Sequence, residues 1–380
     1  MAATATVMGW RDRWFAQRDR LLASPRFREW ASRFVATRPV ARRRAAELFD
    51  LVAGFVYSQW LFACVELRLF ERLAREPLTA EQLAAQSQLP LASAQRLLEA
   101  GAALGLTQLR DGSVPRRYGL GPLGAAMVDN PAVVAMVQHH RQLYEDLADP
   151  LALLRREGGA ASLSQYWAYA TDGAPGTLDL PRTAPYSALM SASQPLVASQ
   201  VLDAYSMKRH RLLLDLGGGE GVFCAAALAR APQLRAVVYD LPAVAQAARE
   251  RFARAGLADR AEARGGDFHR DALPEGADIV SLVRVIYDHD DEPALAILRA
   301  ARRALPRGGT LLLAEPMAGT AGAERMGAAY FGMYLLAMGS GRSRSAAELG
   351  ALLRQAGFDR VCQRATALPL QAGLLVARAA

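Results

Sequence analysis

Hydrophobic positions along the chain follow two different rhythms. Over the first 130 residues they recur with the spacing of amphipathic helices, and from about residue 206 short apolar runs alternate with helical stretches. The run at 212–216 is apolar except for Asp215, which is typical of a central strand buried on both faces. Strands that alternate with helices predict an α/β domain built on an open parallel sheet.

The pattern before residue 130 predicts a mainly helical domain that ends in a short hairpin. Helical spacing covers 46–73, with a large apolar face, and 90–106. Asp111 and Gly112 form a typical tight turn between two short strands. Helices followed by a hairpin predict a winged helix over 46–130. Its few basic residues are balanced by acidic ones, so nucleic acid is not an expected partner.

The turn at 217–221 carries the most specific chemical signal. Its glycines have the spacing G-x-G-x-G and let the backbone approach a ligand closely. A dinucleotide fingerprint needs G-x-G-x-x-G, and Val222 stands where the last glycine belongs. Glu220 would repel phosphates, which favours a cationic cofactor over NAD.

Acidic or polar residues recur where successive strands are predicted to end. Asp240 closes a second strand about twenty residues beyond the glycines, the spacing of a ribose ligand. A third segment leads into Asp267 and Phe268, and a fourth strand, expected over 278–287, leads into an acidic run. Open α/β sheets bind ligands at this edge, so the sequence predicts a cofactor site there.

This series resembles the class I S-adenosylmethionine (SAM) dependent small-molecule O-methyltransferases. The carrying motifs are Asp-Leu-Gly-Gly-Gly-Glu-Gly at 215–221, Tyr-Asp-Leu-Pro at 239–242, Gly-Gly-Asp-Phe at 265–268 and Ala-Glu-Pro at 314–316. The resemblance implies that SAM is the methyl donor and that no metal takes part. The residues it implies for SAM binding are Asp215, Gly217, Gly219, Asp240, Leu241, Asp267, Phe268 and Arg284.

The resemblance also implies an architecture and an assembly. A Rossmann-like SAM methyltransferase domain is expected over 206–380, after a helical linker and substrate-pocket region at 131–205. In such enzymes the winged-helix domain at 46–130 is a dimerisation domain whose helices help to enclose the partner's substrate. A homodimer is therefore the expected assembly.

Catalysis is where this chain departs from its relatives. Plant members carry a histidine base after the fourth strand, and alignment puts Tyr287 at that position. Glu315 keeps one of the two glutamates that orient the base, whereas Ser343 replaces the other. We expect Tyr287 to orient the acceptor hydroxyl and to pass its proton to His289 or to a nearby carboxylate. The alternatives are that Tyr287 packs on the cofactor and that His289 is a solvated loop residue.

The acceptor is expected to be a hydrophobic small molecule. The segment 326–338 is rich in aromatic residues and methionine, and in the resembled fold it closes over the acceptor. Further side chains that could line the pocket, for each of which core packing taken singly is the favoured alternative, are Tyr166, Trp167, Tyr169, Tyr186, Met190 and Met207.

The basic charge of the chain is concentrated in an N-terminal arm at 1–45. Eleven arginines stand there against three acidic residues, and the remainder of the chain is close to neutral. Aromatic residues such as Trp10, Trp14 and Trp30 are interleaved with the arginines. Two interpretations stay open: the arm lies on an anionic membrane surface, or it packs on its own protein or a partner subunit.

The remaining features indicate a reducing, cytoplasmic location, with peripheral membrane association through the arm as an addition to it. The three cysteines form no CxxC pair and predict neither a zinc site nor a disulfide framework. The start of the chain lacks the pattern of a signal peptide. Residues 45–66 are apolar but include Glu47, Asp50 and Gln59, so a transmembrane span is not expected.

Within the family, the chain is most similar to the bacterial acyclic-carotenoid O-methyltransferases. The similarity runs along nearly the whole sequence, including the arm, 48–59 and 281–290. It implies methylation of the tertiary C1 hydroxyl of carotenoids such as hydroxyneurosporene and demethylspheroidene. The alternatives are a C-methyltransferase of a bacteriochlorophyll-type pigment, an O-methyltransferase of another hydrophobic metabolite, and a regulator that has lost chemistry.

Overall fold

A computed structural model describes residues 9–110, 112, 114–155, 161–166, 180–369 and 371–380. The chain divides into two compact units, Met1–Val128 and Asp129–Ala380. Each unit contains its own secondary structure and its own buried residues. The boundary lies close to residue 130, where the sequence places the end of the winged helix.

The first unit is mainly helical and ends in the predicted hairpin. The strands β1 and β2 pair antiparallel, with Thr107 opposite Leu120. The Thr79 hydroxyl caps a helix by accepting a hydrogen bond from the Gln82 backbone N–H at 3.2 Å. The elements are α1 (Trp10–Ala23), α2 (Pro25–Arg33), α3 (Arg38–Glu66), α4 (Leu69–Arg75), α5 (Ala80–Ser87), α6 (Leu91–Ala103), β1 (Thr107–Leu109), β2 (Tyr118–Leu120) and α7 (Pro122–Ala125).

Helices are predicted from 46 to 73, and the structure has two there, α3 and α4, separated at Arg68, whose backbone adopts a left-handed conformation with φ of 51°. One predicted boundary in this unit differs from the structure. The arm was expected to end at residue 45, but α3 begins at Arg38 and continues through that position. The basic run at 42–44 is therefore the first part of a long apolar helix rather than the end of a separate segment.

Helix α3 carries a run of exposed apolar side chains. Phe49, Val52 and Phe55 are each more than 60% exposed in the isolated chain. By length and composition α3 is long and apolar enough to cross a membrane, which for a single helix is weak evidence. Glu47 and Asp50 lie within it.

The second unit is an α/β sandwich around a seven-stranded sheet of order β5-β4-β3-β6-β7-β9-β8. Strands β3 to β7 run parallel, and β9 pairs antiparallel with both β7 and β8. This confirms the predicted Rossmann-like domain. The elements are α8 (Pro131–Asp146), α9 (Pro150–Arg155), α10 (Ser162–Tyr166), α11 (Leu180–Ala204), β3 (Leu212–Leu216), α12 (Val222–Arg230), β4 (Arg235–Asp240), α13 (Pro242–Arg254), β5 (Ala261–Gly265), β6 (Ile279–Val283), α14 (Asp291–Ala304), β7 (Thr310–Glu315), α15 (Phe331–Met338), α16 (Ala346–Gln355), β8 (Phe358–Arg364) and β9 (Gly373–Ala379).

Both faces of the sheet are covered by helices, as the apolar strands predict. Leu213 packs with α11, α12 and α13 on one face, and Leu214 packs with α14 and α16 on the other. Alternation along β3 thus serves two separate cores. Strands buried on both faces leave their ends, rather than their surfaces, free for ligands.

The fourth strand of the predicted series is shorter than expected. β6 ends at Val283, and residues 286–288 form a 3₁₀ turn instead of continuing the strand to Tyr287. Arg284 between them takes a left-handed conformation with φ of 58°, which is uncommon for a residue with a side chain. The chain therefore changes direction at the ligand-binding edge of the sheet.

Candidate active site

A pocket opens at the carboxyl ends of β3, β4 and β6 in the second unit. Strands, turns and α11 all contribute to its wall. Of the eight residues predicted to bind SAM, seven line it: Gly217, Gly219, Asp240, Leu241, Asp267, Phe268 and Arg284. The eighth, Asp215, lies elsewhere, as described below.

The glycine turn after β3 has the backbone shape that only glycine adopts without strain. Gly217, Gly219 and Gly221 have φ values of 65°, 57° and 77°. A Cβ on Gly221 would lie 2.5 Å from Cζ of Phe252, so this glycine permits close packing. A Cβ on Gly219 would meet no protein atom within 4 Å, because this glycine faces the pocket.

Asp240 at the end of β4 is bound to the glycine turn. Its Oδ2 accepts a hydrogen bond from the Gly219 N–H at 2.8 Å, and its Oδ1 accepts one from the Leu241 N–H at 2.7 Å. Burial raises the pKa of this carboxyl to about 6. Each oxygen keeps a second lone pair, so the carboxylate can receive two adjacent hydroxyls of a ligand.

An aromatic wall stands on the β5 side of the pocket. The Asp267 Oδ1 accepts a hydrogen bond from the His269 N–H at 2.9 Å, which fixes the turn that carries Phe268. The His289 ring meets those of Phe268 and His269 edge to face, at centroid distances of 6.0 and 5.3 Å. Burial lowers the pKa of His289 to about 3, with the nearby His269 and Arg344 adding to the effect. This histidine is neutral at physiological pH.

Asp215 lies beneath the glycine turn rather than on the pocket surface. Its Oδ1 accepts a hydrogen bond from the Ser281 hydroxyl at 2.5 Å, and the Cys224 thiol lies 3.7 Å from its Oδ2. Burial raises its pKa to about 7. A Cβ on Gly218 would lie 2.6 Å from Oδ2, so the carboxyl supports the turn from below.

Arg284 lines the pocket but directs its guanidinium at α11. It donates to the Ser193 hydroxyl at 2.7 Å, to the Met190 carbonyl at 3.0 Å and to the Gln194 side-chain carbonyl. Arg284 thereby ties the end of β6 to that helix. Met190, one of the predicted pocket residues, also lines the pocket.

Glu315 and Arg344 hold the turn at 285–289 from two sides. Glu315 at the end of β7 accepts hydrogen bonds from the N–H groups of Val285 at 3.1 Å and Ile286 at 2.7 Å. Its pKa is raised to about 8 by burial. The Arg344 side chain is 1% exposed and donates to the carbonyls of Ile286 at 3.1 Å and His289 at 2.8 Å. Sequence reasoning missed Arg344, because nothing in its neighbours along the chain signals a long-range contact.

Tyr287 is buried beside the pocket rather than exposed in it. It belongs to an apolar cluster with Tyr334 and Met338, and its ring meets that of Phe331 edge to face at 5.6 Å. Burial raises the pKa of its hydroxyl well above the ordinary value. The next residue, Asp288, lines the pocket, and the Tyr287 hydroxyl interacts with its carboxyl.

The segment expected to close over the acceptor joins the same cluster. Residues 325–330 form a π-helical turn that runs into α15. The hydroxyls of Tyr330 and Tyr334 form hydrogen bonds with Nε2 of His140 and His139 on α8, at 2.7 and 2.8 Å. These contacts fix α15 against α8, beside Tyr287.

Two sequence expectations about the pocket change in the light of the structure, and others fall on residues that it does not describe. Met207 is a core residue, 2% exposed and packed under the sheet. Glu220 lines the pocket but forms an ion pair with Arg251 at 2.6 Å, so its charge is no argument against phosphates. Trp167 and Tyr169, and the side chains of Tyr166 and Tyr186, lie outside the described residues.

The pocket suits SAM on its own chemistry. A carboxylate that can receive a diol, an aromatic wall beside Asp267 and a glycine turn open to close approach are the groups that a ribose, an adenine and an amino-acid tail require. Among the described residues no three His, Cys, Asp or Glu side chains are grouped so that they could hold a metal ion.

Comparison with known proteins identifies the family. Residues 144–359 match the model of the O-methyltransferase domain. The chain belongs to this family. It is a SAM-dependent O-methyltransferase, as the sequence motifs predict.

Two curated relatives of this O-methyltransferase span nearly its whole length. The demethylspheroidene O-methyltransferase of Cereibacter sphaeroides is 45% identical over 343 residues, which cover 90% of this chain and 89% of the relative. The enzyme of that name from Rhodobacter capsulatus is 37% identical over 350 residues, with 92% and 86% covered. A crystal structure of human N-acetylserotonin methyltransferase in complex with SAM has the same fold, with a TM-score of 0.73, 23% identity and 88% and 97% covered.

The N-terminal unit of this O-methyltransferase has a recognised role as well. Residues 49–130 match the O-methyltransferase dimerisation domain. The match begins within α3, where Phe49, Val52 and Phe55 present their exposed apolar side chains. Both findings support the predicted homodimer.

Proposed function

We propose that this O-methyltransferase transfers the methyl group of SAM to the tertiary C1 hydroxyl of acyclic 1-hydroxy carotenoids, as a step of carotenoid biosynthesis. The observation that carries the proposal is the 45% identity to the demethylspheroidene enzyme across 90% of the chain. Substrates of the hydroxyneurosporene and demethylspheroidene type follow from it.

The residues at the carboxyl edge of the sheet would hold SAM. Asp240 would receive the ribose hydroxyls, Asp267 and Phe268 the adenine, and Gly217 and Gly219 the methionine portion. Asp215 would act through the turn that it supports. When bound, SAM supplies an electrophilic methyl group on a sulfonium.

The protein's contribution to methyl transfer is to orient the acceptor and to exclude water. Tyr287 belongs to a turn with few degrees of freedom, because Glu315 and Arg344 bind the backbone of that turn. We propose that Tyr287 orients the polar side chains of the turn towards the acceptor hydroxyl. Glu315 positions the turn through the N–H groups of Val285 and Ile286. His289 is assigned to the aromatic wall, since its lowered pKa makes it a weak base. Fixed geometry supplies much of the acceleration of an in-line displacement.

A hydrophobic acceptor suits the apolar surroundings of this site. Met190, Val283 and Val285 line the pocket, and Phe331 and Tyr330 stand beside Tyr287. A polyene gains about 25 cal/mol for each Å² of apolar surface removed from water. Sugars and nucleotides have little apolar surface of their own to bury against these side chains.

We also propose that the enzyme works in the cytoplasm and touches the membrane through its arm, where a carotenoid is dissolved. Trp10, Trp14 and Trp30 are 74%, 55% and 50% exposed, and α1 and α2 carry arginines beside them. Arg11 lies over the Trp10 ring at 5.5 Å and Arg18 over the Trp14 ring at the same distance. Exposed aromatic and cationic side chains together favour an anionic lipid surface.

A product assay tests the proposed reaction. Purified enzyme is incubated with methyl-labelled SAM and, in parallel, a 1-hydroxy carotenoid, a chlorin pigment and a hydroxylated aromatic metabolite in detergent. We expect label in a C1 methyl ether of the carotenoid. Label on a chlorin carbon would instead identify a pigment C-methyltransferase, and label only on the aromatic acceptor would assign a different metabolite class.

A further inference from the structure

Among the residues that the structure describes, four carboxyl groups line the pocket, and they differ in what holds them. Asp240 accepts two backbone N–H groups, Asp267 accepts the His269 N–H, and Glu220 is paired with Arg251. The fourth, Asp288, has an Oδ1 that is fully buried and has no hydrogen-bond partner among the described residues. A buried carboxyl oxygen without a partner is costly, and such atoms mark positions where a ligand group completes the structure.

The backbone that carries Asp288 is fixed on every side. The Ser340 hydroxyl donates to the Asp288 carbonyl at 2.9 Å, and Arg344 holds the carbonyls on both sides of it. A Cβ on Gly341 would lie 2.3 Å from the Tyr287 carbonyl, so the neighbouring chain packs directly on the turn. The side chain is therefore presented to the pocket by a rigid support rather than by a mobile loop.

The other polar groups of the turn are less suited to take a proton. The ring of His289 faces Phe268 and His269, on the side assigned to the adenine. Glu315 accepts two backbone N–H groups at its Oε1, and its Oε2 is buried without a hydrogen-bond partner among the described residues, as Asp288 Oδ1 is. Glu315 differs from Asp288 in that it does not line the pocket. The Tyr287 hydroxyl interacts with the Asp288 carboxyl, and of these two residues only Asp288 lines the pocket.

We propose that Asp288 is the general base of methyl transfer, with Oδ1 as the atom that receives the acceptor proton. The acceptor oxygen forms its bond to the methyl carbon as the bond from that carbon to sulfur breaks. The electron pair of the broken bond stays on sulfur, and the hydroxyl proton passes to the Asp288 carboxylate. The products are a methyl ether, the neutral thioether and a protonated Asp288, which returns its proton to water. This inference rests on the proposed function.

The electrostatic surroundings of Asp288 suit such a base. Burial and the nearby Glu315 raise the pKa of Asp288 well above its ordinary value, while Tyr287 and Arg284 oppose the rise. Tyr334 is a further titratable group that faces Tyr287. A carboxylate with a raised pKa is a stronger base than an exposed one. The ionised form is the active one, so turnover should fall as the pH falls through that pKa.

The test compares Asp288→Asn with Glu292→Gln, which removes an exposed carboxylate four residues away. Asparagine matches the protonated carboxyl in shape, so the fold should persist. Turnover, SAM affinity by calorimetry and the pH profile are measured on whichever acceptor the wild type methylates. We expect Asp288→Asn to lower turnover by about 100-fold, with SAM affinity within about threefold and the acid limb of the profile lost. Glu292→Gln should match the wild type.

Two results decide on the inference, and a third bears on the proposed substrate alone. An Asp288→Asn protein that binds SAM and keeps the wild-type rate, or the wild-type acid limb, overturns it. If that variant fails to bind SAM, Asp288→Ala with added formate decides: activity that rises with formate supports a base at this position, and activity that stays flat contradicts it. A wild type that methylates another acceptor instead of the carotenoid contradicts the proposed substrate alone, because the variants are then compared on that acceptor.

Discussion

Asp215 and Asp240 end neighbouring strands, and burial raises the pKa of both, yet they act at different depths. Asp215 binds Ser281 beneath the glycine turn, whereas Asp240 binds the turn's own N–H and faces the pocket. Both carboxyls stand in recognisable sequence motifs, Asp215 in the one at 215–221 and Asp240 in the one at 239–242. Only the structure separates the carboxyl that supports the turn from the one that is available to a ligand.

Substitution of Asp240 should weaken SAM binding. Asp240→Ala removes the acceptor assigned to the ribose and leaves the Gly219 and Leu241 N–H groups unpaired. Charged hydrogen bonds contribute about 1.5–3 kcal/mol each, so affinity should fall by at least about tenfold. Calorimetric titration with SAM measures this affinity. A variant that unfolds at the wild-type temperature and binds SAM as tightly as the wild type would refute the ribose assignment.

Glu315 should make the stability of the protein depend on pH. Its pKa in the folded state is about 8, against about 4.5 ordinarily, so the folded protein holds this proton more tightly than the unfolded chain does. The resulting stabilisation is complete below pH 4.5 and is lost as the pH rises to about 8. Glu315→Gln keeps an acceptor for Val285 and Ile286 without titrating.

The difference in melting temperature between wild type and Glu315→Gln therefore isolates this group. We expect the wild type to lose several degrees relative to the variant between pH 4.5 and 8. Scanning calorimetry at closely spaced pH values measures the difference. Parallel curves for the two proteins would mean that Glu315 is already ionised in the folded state.

At the scale of elements, the turn after β6 shows where sequence reasoning ended. The acidic residues at strand ends were predictable, because strands alternate with helices and their carboxyl ends share an edge. The end of β6 was not: the apolar run continues to Tyr287, but the strand stops at Val283. The N–H groups that follow are bound by Glu315 from the neighbouring strand. A contact across thirty residues of chain leaves no local signal.

The glycine turn offers a matched pair of substitutions. Gly219→Ala and Gly221→Ala both place a side chain at positive φ, which costs about 1–2 kcal/mol. Gly221→Ala also brings a Cβ to 2.5 Å from the buried ring of Phe252, whereas a Cβ at Gly219 meets only the pocket. We expect Gly221→Ala to lower the free energy of unfolding further, and Gly219→Ala to have the larger effect on SAM affinity.

Urea unfolding and calorimetric titration distinguish the two effects. Gly219→Ala should weaken SAM binding by about tenfold or more. Its loss of unfolding free energy should be close to the about 1–2 kcal/mol that the positive φ costs by itself. Equal losses of stability in both variants, with unchanged SAM affinity in Gly219→Ala, would place the open side of the turn away from the cofactor.

For the molecule as a whole, charge and hydropathy predicted the division into parts better than their boundaries. The basic arm, the winged helix and the α/β domain were all recognisable from composition and periodicity. The end of the arm at residue 45 was not, since α3 starts at Arg38 and joins arm and dimerisation domain in one helix. Arginine and alanine are both good helix formers, so the change from basic to apolar sequence does not interrupt the helix.

This continuity determines how the arm should be tested. Deletion of residues 1–37 removes α1 and α2, with seven arginines and three acidic residues, and leaves α3 whole. We expect the truncated protein to bind vesicles of anionic phospholipid at least about tenfold more weakly than the full chain, because each basic residue near the surface contributes about 1 kcal/mol. The difference should shrink at about 0.5 M salt, where the Debye length is only a few ångströms.

Two controls separate a membrane arm from a packing arm. Vesicles of neutral lipid should bind both proteins weakly, and detergent-dissolved acceptor should be methylated at similar rates by both, because the SAM pocket lies in the second unit. Sedimentation with vesicles and turnover on acceptor dissolved in the bilayer are then compared. If the truncated protein binds anionic vesicles as the full chain does but forms less dimer, the aromatic faces of α1 and α2 pack on protein, and the carotenoid reaches the enzyme by another surface.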